Sequence, residues 1–177
     1  MSENVTLAGG AYGIRAVVHS AWSKEIADFV RRKEAVELEL NQAKGWRGND
    51  VSFLAELPGL ESFEIFDFKI EDISPIHSLH NLKRLGITTY CKTPLNFSAF
   101  PQLESCGLEW RKRSTSLFQC LTLKKLFVNR YDGTNVDPFG QLSSLESLSI
   151  LNAPIQNLNG LQPLENLRHL RLGTCDV

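Results

Sequence analysis

The sequence lacks a long hydrophobic run, a basic leader and a paired set of cysteines. No stretch of its 177 residues approaches the roughly 20 apolar residues that a membrane helix needs, so we expect no membrane association. Residues 1–20 have no basic segment ahead of an apolar one, so they do not predict a secretory signal. The four cysteines, Cys91, Cys106, Cys120 and Cys175, show no CxxC spacing. They therefore predict a reducing, cytoplasmic setting.

Motifs that mark a catalytic or metal site are missing as well. The four histidines form no HExxH motif, and the cysteines and histidines do not have the spacing of a zinc site. A GxSxG turn and a phosphate-binding GK[ST] loop are also absent from the sequence. We therefore expect no enzyme, no cofactor and no metal. One alternative stays open, an enzyme that uses Cys175 or a histidine such as His169, because these two flank the last predicted strand.

The charge is small overall but uneven along the chain. The formal net charge is −1, and the densest basic run, residues 111–113 beside Trp110, is too short to indicate a nucleic acid partner. Residues 34–75 carry ten acidic and three basic side chains, whereas residues 76–131 carry nine basic and two acidic ones. Such an uneven field favours an oriented approach of a partner, although a set of solvated charged loops is the alternative.

A repeat is the strongest positive signal in the sequence. Its unit is LxxLxL, in which the second and third apolar positions share one face of a short strand. The six clear copies are Leu60-Phe63-Ile65, Leu82-Leu85-Ile87, Leu103-Cys106-Leu108, Leu123-Leu126-Val128, Leu145-Leu148-Ile150 and Leu167-Leu170-Leu172. Their starts are separated by 22, 21, 20, 22 and 22 residues, and a weaker copy, Ala35-Leu38-Leu40, begins 25 residues upstream. Since one unit does not bury its apolar face alone, stacked copies are expected to form a parallel sheet.

This pattern resembles the leucine-rich repeat family, in particular its bacterial members with short repeats of about 22 residues. The resemblance covers residues 35–177 and includes the stretches "NDVSFLAELPGLESFEI" and "IEDISPIHSLHNLKRLGI". It implies an α/β fold, a right-handed solenoid with a parallel concave sheet of about seven strands and short helical or irregular convex segments. The family usually has Asn or Cys three residues after the last strand leucine, and here only Cys175 fits. The other loops are therefore expected to satisfy their backbone groups in another way.

Residues 1–34 are predicted to form an N-terminal cap, because an open solenoid needs covers at its ends. The stretch "GIRAVVHS" predicts an edge strand, and "SKEIADFVRRKE" predicts an amphipathic helix with Ser23 as its N-cap. The alternative for this helix is direct binding of a partner. Residues 35–177 are predicted to hold the repeats, with no evident C-terminal cap. Since exposed strand edges invite pairing, we expect this end to meet a second copy of the chain or a partner.

The exposed face of the predicted sheet holds the candidate contacts with a partner. Because side chains alternate along a strand, the residues between the ladder positions point away from the core. Phe66, Phe127 and Leu151 are apolar there, and Gly86 and Gly107 leave a gap between the two phenylalanines. The full candidate set is Glu39, Glu64, Phe66, Glu109, Trp110, Phe127, Arg130, Tyr131, Leu151 and Arg171. Aromatic and arginine anchors are typical of protein interfaces, although sideways packing of the apolar residues is the alternative.

The resemblance and this face together predict a non-enzymatic module that binds another protein through the concave face. Compact bacterial proteins of this kind include immunity and inhibitor proteins, so a toxin that is neutralised by occlusion is the expected partner class. The alternative is an effector or scaffold that binds a regulatory protein. Trp46, in the loop "KGWRGNDVS", is either a packing anchor or a further exposed contact.

Overall fold

A computed structural model describes residues 3–175, which form one sheet of nine strands in the order of the chain. The strands are β1 (Val5–Gly9), β2 (Ile14–Val18), β3 (Glu37–Asn41), β4 (Ser62–Phe66), β5 (Arg84–Thr88), β6 (Ser105–Glu109), β7 (Lys125–Asn129), β8 (Ser147–Ala153) and β9 (His169–Cys175). β1 and β2 are antiparallel, and every later pair of neighbours is parallel. The seven parallel repeat strands predicted from the sequence are β3–β9.

Equivalent positions of the repeat lie side by side across the sheet. Leu38 is in register with Phe63, and Phe63 is in register with Leu85 on the next strand. At the third apolar position of the unit, the side chains of Ile65, Ile87, Val128 and Ile150 are buried. The predicted inward face of the strands is therefore confirmed, and the residues between these positions lie on the other face.

The connections between the repeat strands contain short 3₁₀ helices. These are Gln42–Lys44, Ser52–Glu56, Ser74–Ser78, Phe97–Ala99, Thr115–Gln119, Asp137–Gln141 and Asn159–Leu161. The apolar residues of these connections recur at threefold spacing, and a 3₁₀ helix, with three residues per turn, keeps such positions on one side. Ile70, Ile73 and Ile76 follow that spacing, and all three are buried. Asp72 helps to begin one of these turns, because its carboxylate accepts a hydrogen bond from the Ser74 N–H at 2.8 Å.

The N-terminal residues contain the predicted helix, α1 (Lys24–Arg32). Ser23 caps α1, because its hydroxyl oxygen accepts a hydrogen bond from the backbone N–H of Ile26 at 3.3 Å. Val30 is buried, and Trp22 stacks on Phe53 with ring centroids 3.8 Å apart. Within residues 3–175, no helix combines the length and apolar character that crossing a bilayer requires.

The predicted edge strand is present as β2, but the prediction that it lies at the edge of the sheet is wrong. β2 pairs with β3 on one side and with β1 on the other. β1 is not predicted from the sequence, because its five residues bury only Val5 and end in Ala8 and Gly9, which give a weak strand signal. It pairs in register with β2, where Val5 lies opposite Val18. The sheet continues from β2 into β3 and therefore does not mark a boundary between the cap and the repeats. The division at residue 34 stays a prediction.

The far edge of the described sheet is β9, which pairs with β8 alone among the described strands. Leu170 is a ladder residue of β9, and it is 42% exposed where the ladder residues of β8 are buried. The predicted lack of a C-terminal cap concerns residues 173–177, of which 176 and 177 lie outside the described residues. Contact of this edge with a second copy of the chain stays a prediction.

Candidate functional site

The exposed face of the sheet carries a shallow groove where two glycines stand side by side. Gly86 on β5 is in register with Gly107 on β6. The groove has a volume of about 320 Å³, and its lining includes Arg84, Lys125 and Phe127. A Cβ atom at Gly107 would meet only Phe127, at 3.8 Å, so this glycine leaves open space and does not relieve a clash. The predicted gap is therefore present, and Phe127 forms one wall of it.

Phe66 and Phe127 are exposed on this face, and Phe66 belongs to a larger group of aromatic rings. The two phenylalanines are 36% and 41% exposed. Phe66 meets Phe68 edge-on with ring centroids 4.9 Å apart, and Phe68 stacks on Tyr90 at 4.5 Å. We name Phe66, Phe68 and Tyr90 the aromatic cluster. Tyr90 is 58% exposed, so the cluster presents a contiguous aromatic surface beside the sheet.

Phe68 and Tyr90 are missing from the predicted contacts, because both occupy the loop position where the family usually has Asn. One feature of the sequence indicates these two residues as contacts: two large aromatic residues stand at the same position of successive repeats, 22 residues apart. An aromatic ring does not replace the backbone hydrogen bonds that Asn would make, so its presence there points to another role. The structure gives that role as stacking on the neighbouring repeat.

Charged residues of the face form local pairs or remain exposed. Glu64 forms an ion pair with Arg84 on the next strand. Glu109 accepts a hydrogen bond from the Asn129 side chain at 2.7 Å. Arg171 is exposed on β9. The structure therefore places Glu64, Glu109 and Arg171 on the exposed face, with the two carboxylates already engaged by neighbours.

Leu151 packs sideways along the face, which is the alternative to partner binding given above for the apolar residues. It is half-buried, and its Cδ2 atom would lie 2.6 Å from a Cβ atom at Gly173 on the next strand. Only glycine at position 173 leaves room for this sideways placement of the leucine side chain. Leu151 therefore contributes less free apolar surface than Phe66 and Phe127.

Two predicted contact residues are buried, so the prediction that they are exposed is wrong. Glu39 forms an ion pair at 2.7 Å with Lys44, which the turn after β3 places beside it. Tyr131 packs edge-on against Trp110 at 4.9 Å and against Phe139 at 5.0 Å. Burial raises the pKa of the Tyr131 hydroxyl above its ordinary value. Both side chains are therefore engaged within the chain and are not free contacts on the face.

Trp110 lies at the carboxyl end of β6, beside a second concave region. This region, which we name the loop cleft, has a volume of about 770 Å³ and lies among the loops that follow β5, β6 and β7. The Trp110 indole donates a hydrogen bond to Asp132 at 2.6 Å, and Arg111 donates to Thr89 at 3.1 Å. The lining residues are Thr89, Tyr90, Cys91, Lys92, Glu109, Trp110, Arg111, Lys112, Arg113, Arg130 and Asp132.

Of the residues that left an enzyme open, His77 and Cys175 contact backbone groups, and His169 is exposed on β9. Within residues 3–175, no three His, Cys, Asp or Glu side chains come together in a way that would hold a metal ion. His77 is placed between the Ser74 carbonyl oxygen at 2.9 Å and the Asn96 N–H at 3.0 Å. The Cys175 thiol lies 3.7 Å from the carbonyl oxygen of Ile150, a backbone group and not a general base.

The four cysteines, all within the described residues, are free thiols, and burial divides them into two pairs. Burial raises the pKa of Cys120 to about 11, and burial with the nearby Cys120 raises the pKa of Cys106. Because the thiolate is the reacting species, we expect Cys106 and Cys120 to stay unreactive near pH 8 in the folded protein, while the half-buried Cys91 and Cys175 react. Thiol titration with and without guanidinium measures this. Four fast thiols in the folded protein would contradict the inward position of Cys106.

Comparison with known proteins gives likeness of fold. No protein-family model matches the sequence, and no curated protein sequence matches it. Internalin C2 from Listeria monocytogenes is similar with a TM-score of 0.64 and 17% identity, over 81% of this chain and 70% of that chain. TLR13, solved in a complex with ssRNA13, has a TM-score of 0.62 and 23% identity, over 85% and 23% of the two chains. The plant peptide hormone receptor RGFR1, solved in complex with RGF2, has a TM-score of 0.60 and 19% identity, over 88% and 27%.

At these identities the likeness shows the fold, and the chain spans about a quarter of the TLR13 and RGFR1 chains. The observed strands agree with it, because β4–β9 begin 20 to 22 residues apart and stack in register. The fold class predicted from the LxxLxL pattern is therefore confirmed: the chain has the leucine-rich repeat fold, with short repeats and one continuous, mostly parallel sheet.

Proposed function

We propose that the chain is a non-enzymatic module that binds another protein through the exposed face of its sheet. The observation that carries this proposal is the exposed aromatic surface of this face: Phe127 lines the glycine groove, and Phe66 of the aromatic cluster lines a neighbouring hollow that shares Gly86. Single exposed apolar side chains are ordinary, whereas a contiguous group rimmed by polar residues is typical of interaction sites. Aromatic rings supply large contact areas at such sites.

The distribution of charge supports an oriented approach of the partner. Residues 34–75 have a net charge of −7 and residues 76–131 a net charge of +7, from the side chains counted above. The first repeats are therefore acidic and the middle repeats basic. Charge complementarity of this kind accelerates encounter and fixes orientation more than it tightens the complex. A partner with the inverse arrangement of charged patches is favoured.

Within this class we propose a bacterial, cytoplasmic immunity or inhibitor protein that neutralises a toxin by covering its surface. The fold likeness to a Listeria internalin is compatible with a bacterial setting, and four free thiols favour a reducing compartment. Other proteins of this fold have been solved with RNA and in a hormone receptor complex. A net charge of −1 favours a protein partner over nucleic acid for this chain.

A paired pull-down tests binding through the face. Wild type, the double variant Phe66→Ser/Phe127→Ser and the control Leu121→Ser are used as baits in a lysate of the source organism. Leu121 is an exposed apolar residue that lies outside the sheet, so its variant removes an exposed apolar side chain away from the proposed face. We expect a partner that the control retains and the double variant loses, because each aromatic anchor is worth about 2 kcal/mol or more. Equal capture by all three baits would contradict the proposed face.

The finer proposal requires a functional readout with the captured partner. If the partner is a toxin, co-expression with wild type is expected to restore growth of a host that expresses it. Co-expression with the double variant is expected to fail, although that variant folds. A captured regulatory protein with no effect on growth would favour the alternative, an effector or scaffold.

A further inference from the structure

The loop cleft holds a concentration of positive charge that the chain does not neutralise. Five cationic side chains line it, which are Lys92, Arg111, Lys112, Arg113 and Arg130. In the described part of the chain, none of the five forms an ion pair with a carboxylate within 4.0 Å. Basic residues elsewhere, such as Lys83, Arg84 and Lys124, do form such pairs. The cleft is therefore distinguished by unpaired cations and not only by their number.

The two acidic residues of the cleft are already engaged by neutral donors. Glu109 accepts a hydrogen bond from the side-chain amide of Asn129 at 2.7 Å. Asp132 accepts one from the Trp110 indole at 2.6 Å. These contacts hold both carboxylates in place without consuming a cation. The cleft thus keeps three positive charges in excess of its negative ones.

Arg111 is the most constrained of the five cations. Its guanidinium donates to the Thr89 hydroxyl at 3.1 Å and to the Cys91 sulfur at 3.4 Å, both of which are neutral acceptors. Its Nε–H is shielded from solvent and has no acceptor among the described residues. A half-buried guanidinium without a counter-charge is costly, and a bidentate carboxylate is the group that best complements it. The cleft is therefore prepared for an anion.

We propose that the loop cleft receives an acidic peptide segment of the partner protein, with its carboxylates on Arg111 and the exposed basic residues. This inference rests on the proposed binding function and adds the chemistry of one contacting segment. The volume of about 770 Å³ lies within the range of protein sites for small ligands. Trp110 and Tyr90 provide aromatic walls for the aliphatic parts of such a segment.

A peptide is favoured over nucleic acid by the charges around the cleft. Nucleic acid binding relies on a basic track that follows several phosphates. Here the basic residues Lys83, Arg84 and Lys124 outside the cleft are already paired with carboxylates. A long polyanion would compete with those carboxylates for the neighbouring cations, whereas a short acidic segment can be held by the cleft alone. Binding of an oligonucleotide is accordingly one of the outcomes of the test.

The test uses Cys91, which lines the cleft, as a reporter of occupancy. Alkylation of Cys91 by N-ethylmaleimide is followed by peptide mass spectrometry, with the half-buried Cys175 at the end of the sheet as internal reference. The probes are acetylated hexaglutamate, hexaglutamine and a thymidine hexanucleotide, at low ionic strength. We expect hexaglutamate alone to slow alkylation of Cys91, with no effect on Cys175 and with loss of protection as salt is raised.

Two triple variants with equal change of net charge separate the cleft from the overall charge of the chain. Lys112→Gln/Arg113→Gln/Arg130→Gln removes three exposed cations of the cleft. Lys24→Gln/Arg32→Gln/Lys33→Gln removes three exposed cations in or next to α1, which are not among the cleft lining. Each variant is normalised to its own alkylation rate without peptide. The cleft variant is expected to bind hexaglutamate about tenfold or more weakly, and the α1 variant to bind it as wild type does.

Three results would overturn the proposal. The first is no protection of Cys91 by hexaglutamate in the wild type. The second is equal weakening by both triple variants, which would mean that the net charge of the chain is sensed and not the cleft. The third is protection by the oligonucleotide that matches or exceeds protection by hexaglutamate. None of these results depends on Phe66 or Phe127. The proposal for the cleft can therefore be wrong while the proposed binding face is correct, and the face can be wrong while the cleft is correct.

Discussion

Replacement of Trp46 by alanine is expected to lower the free energy of unfolding by about 3–5 kcal/mol, the range for deletion of a buried tryptophan side chain. Trp46 is 1% exposed although it lies in the connection between β3 and β4. Its indole N–H donates a hydrogen bond to the buried Asp67 carboxylate at 2.8 Å, and its ring lies 6.3 Å from that of Phe53. Alanine would leave a cavity and a buried carboxylate that has lost a donor. Urea denaturation measures the change.

A matched variant divides this loss between its two causes. Trp46→Phe keeps an aromatic ring but removes the N–H donor, so it is expected to cost about 1–3 kcal/mol, the penalty for a buried group left unsatisfied. Because each repeat contacts only its neighbours, hydrogen exchange should accelerate first in β3 and β4 and least in β8. An alanine variant as stable as the wild type would show that the Trp46 ring does not support the first repeats.

The strands and their direction could be predicted from the sequence because they depend on a short, repeated rule. Alternation in LxL determines which side chains face the core, and the near-constant spacing places each strand beside the previous one. Val128 and Ile150 follow that rule and are buried. Gly86 and Gly107 follow it on the other face, and the groove lies where the sequence places it.

The loops could not be predicted in the same way, because their side chains depend on contacts between repeats that no spacing encodes. Phe68 and Tyr131 stand at the same repeat position, yet Phe68 is exposed in the aromatic cluster and Tyr131 is buried among other rings. The sequence is equally consistent with Trp46 as a packing anchor and as an exposed contact, and its hydrogen bond to the buried Asp67 shows that it is an anchor. The loop cleft depends on such loop contacts, so the sequence indicated its basic residues but not that Arg111 lies against Cys91 and Thr89.

A pair of adjacent substitutions on β7 tests the direction of the strand on which the proposed face depends. Leu126→Ala is expected to cost about 2–5 kcal/mol of unfolding free energy, because Leu126 is a buried ladder residue and its truncation leaves a cavity. Phe127→Glu, one residue later, is expected to change stability by less than about 1 kcal/mol, since its side chain points away from the core at an exposed position.

The comparison between the two variants is more informative than either alone. They share one strand and the same neighbours, β6 and β8, so a general weakness of β7 would affect both. Denaturation midpoints that separate as expected, together with loss of partner binding by Phe127→Glu alone at temperatures where both remain folded, would assign Leu126 to the core and Phe127 to the interface. The opposite order of stabilities would place the ladder on the wrong side of the sheet. Phe127 would then belong to the core, and the proposed binding face would lose its anchor on β7.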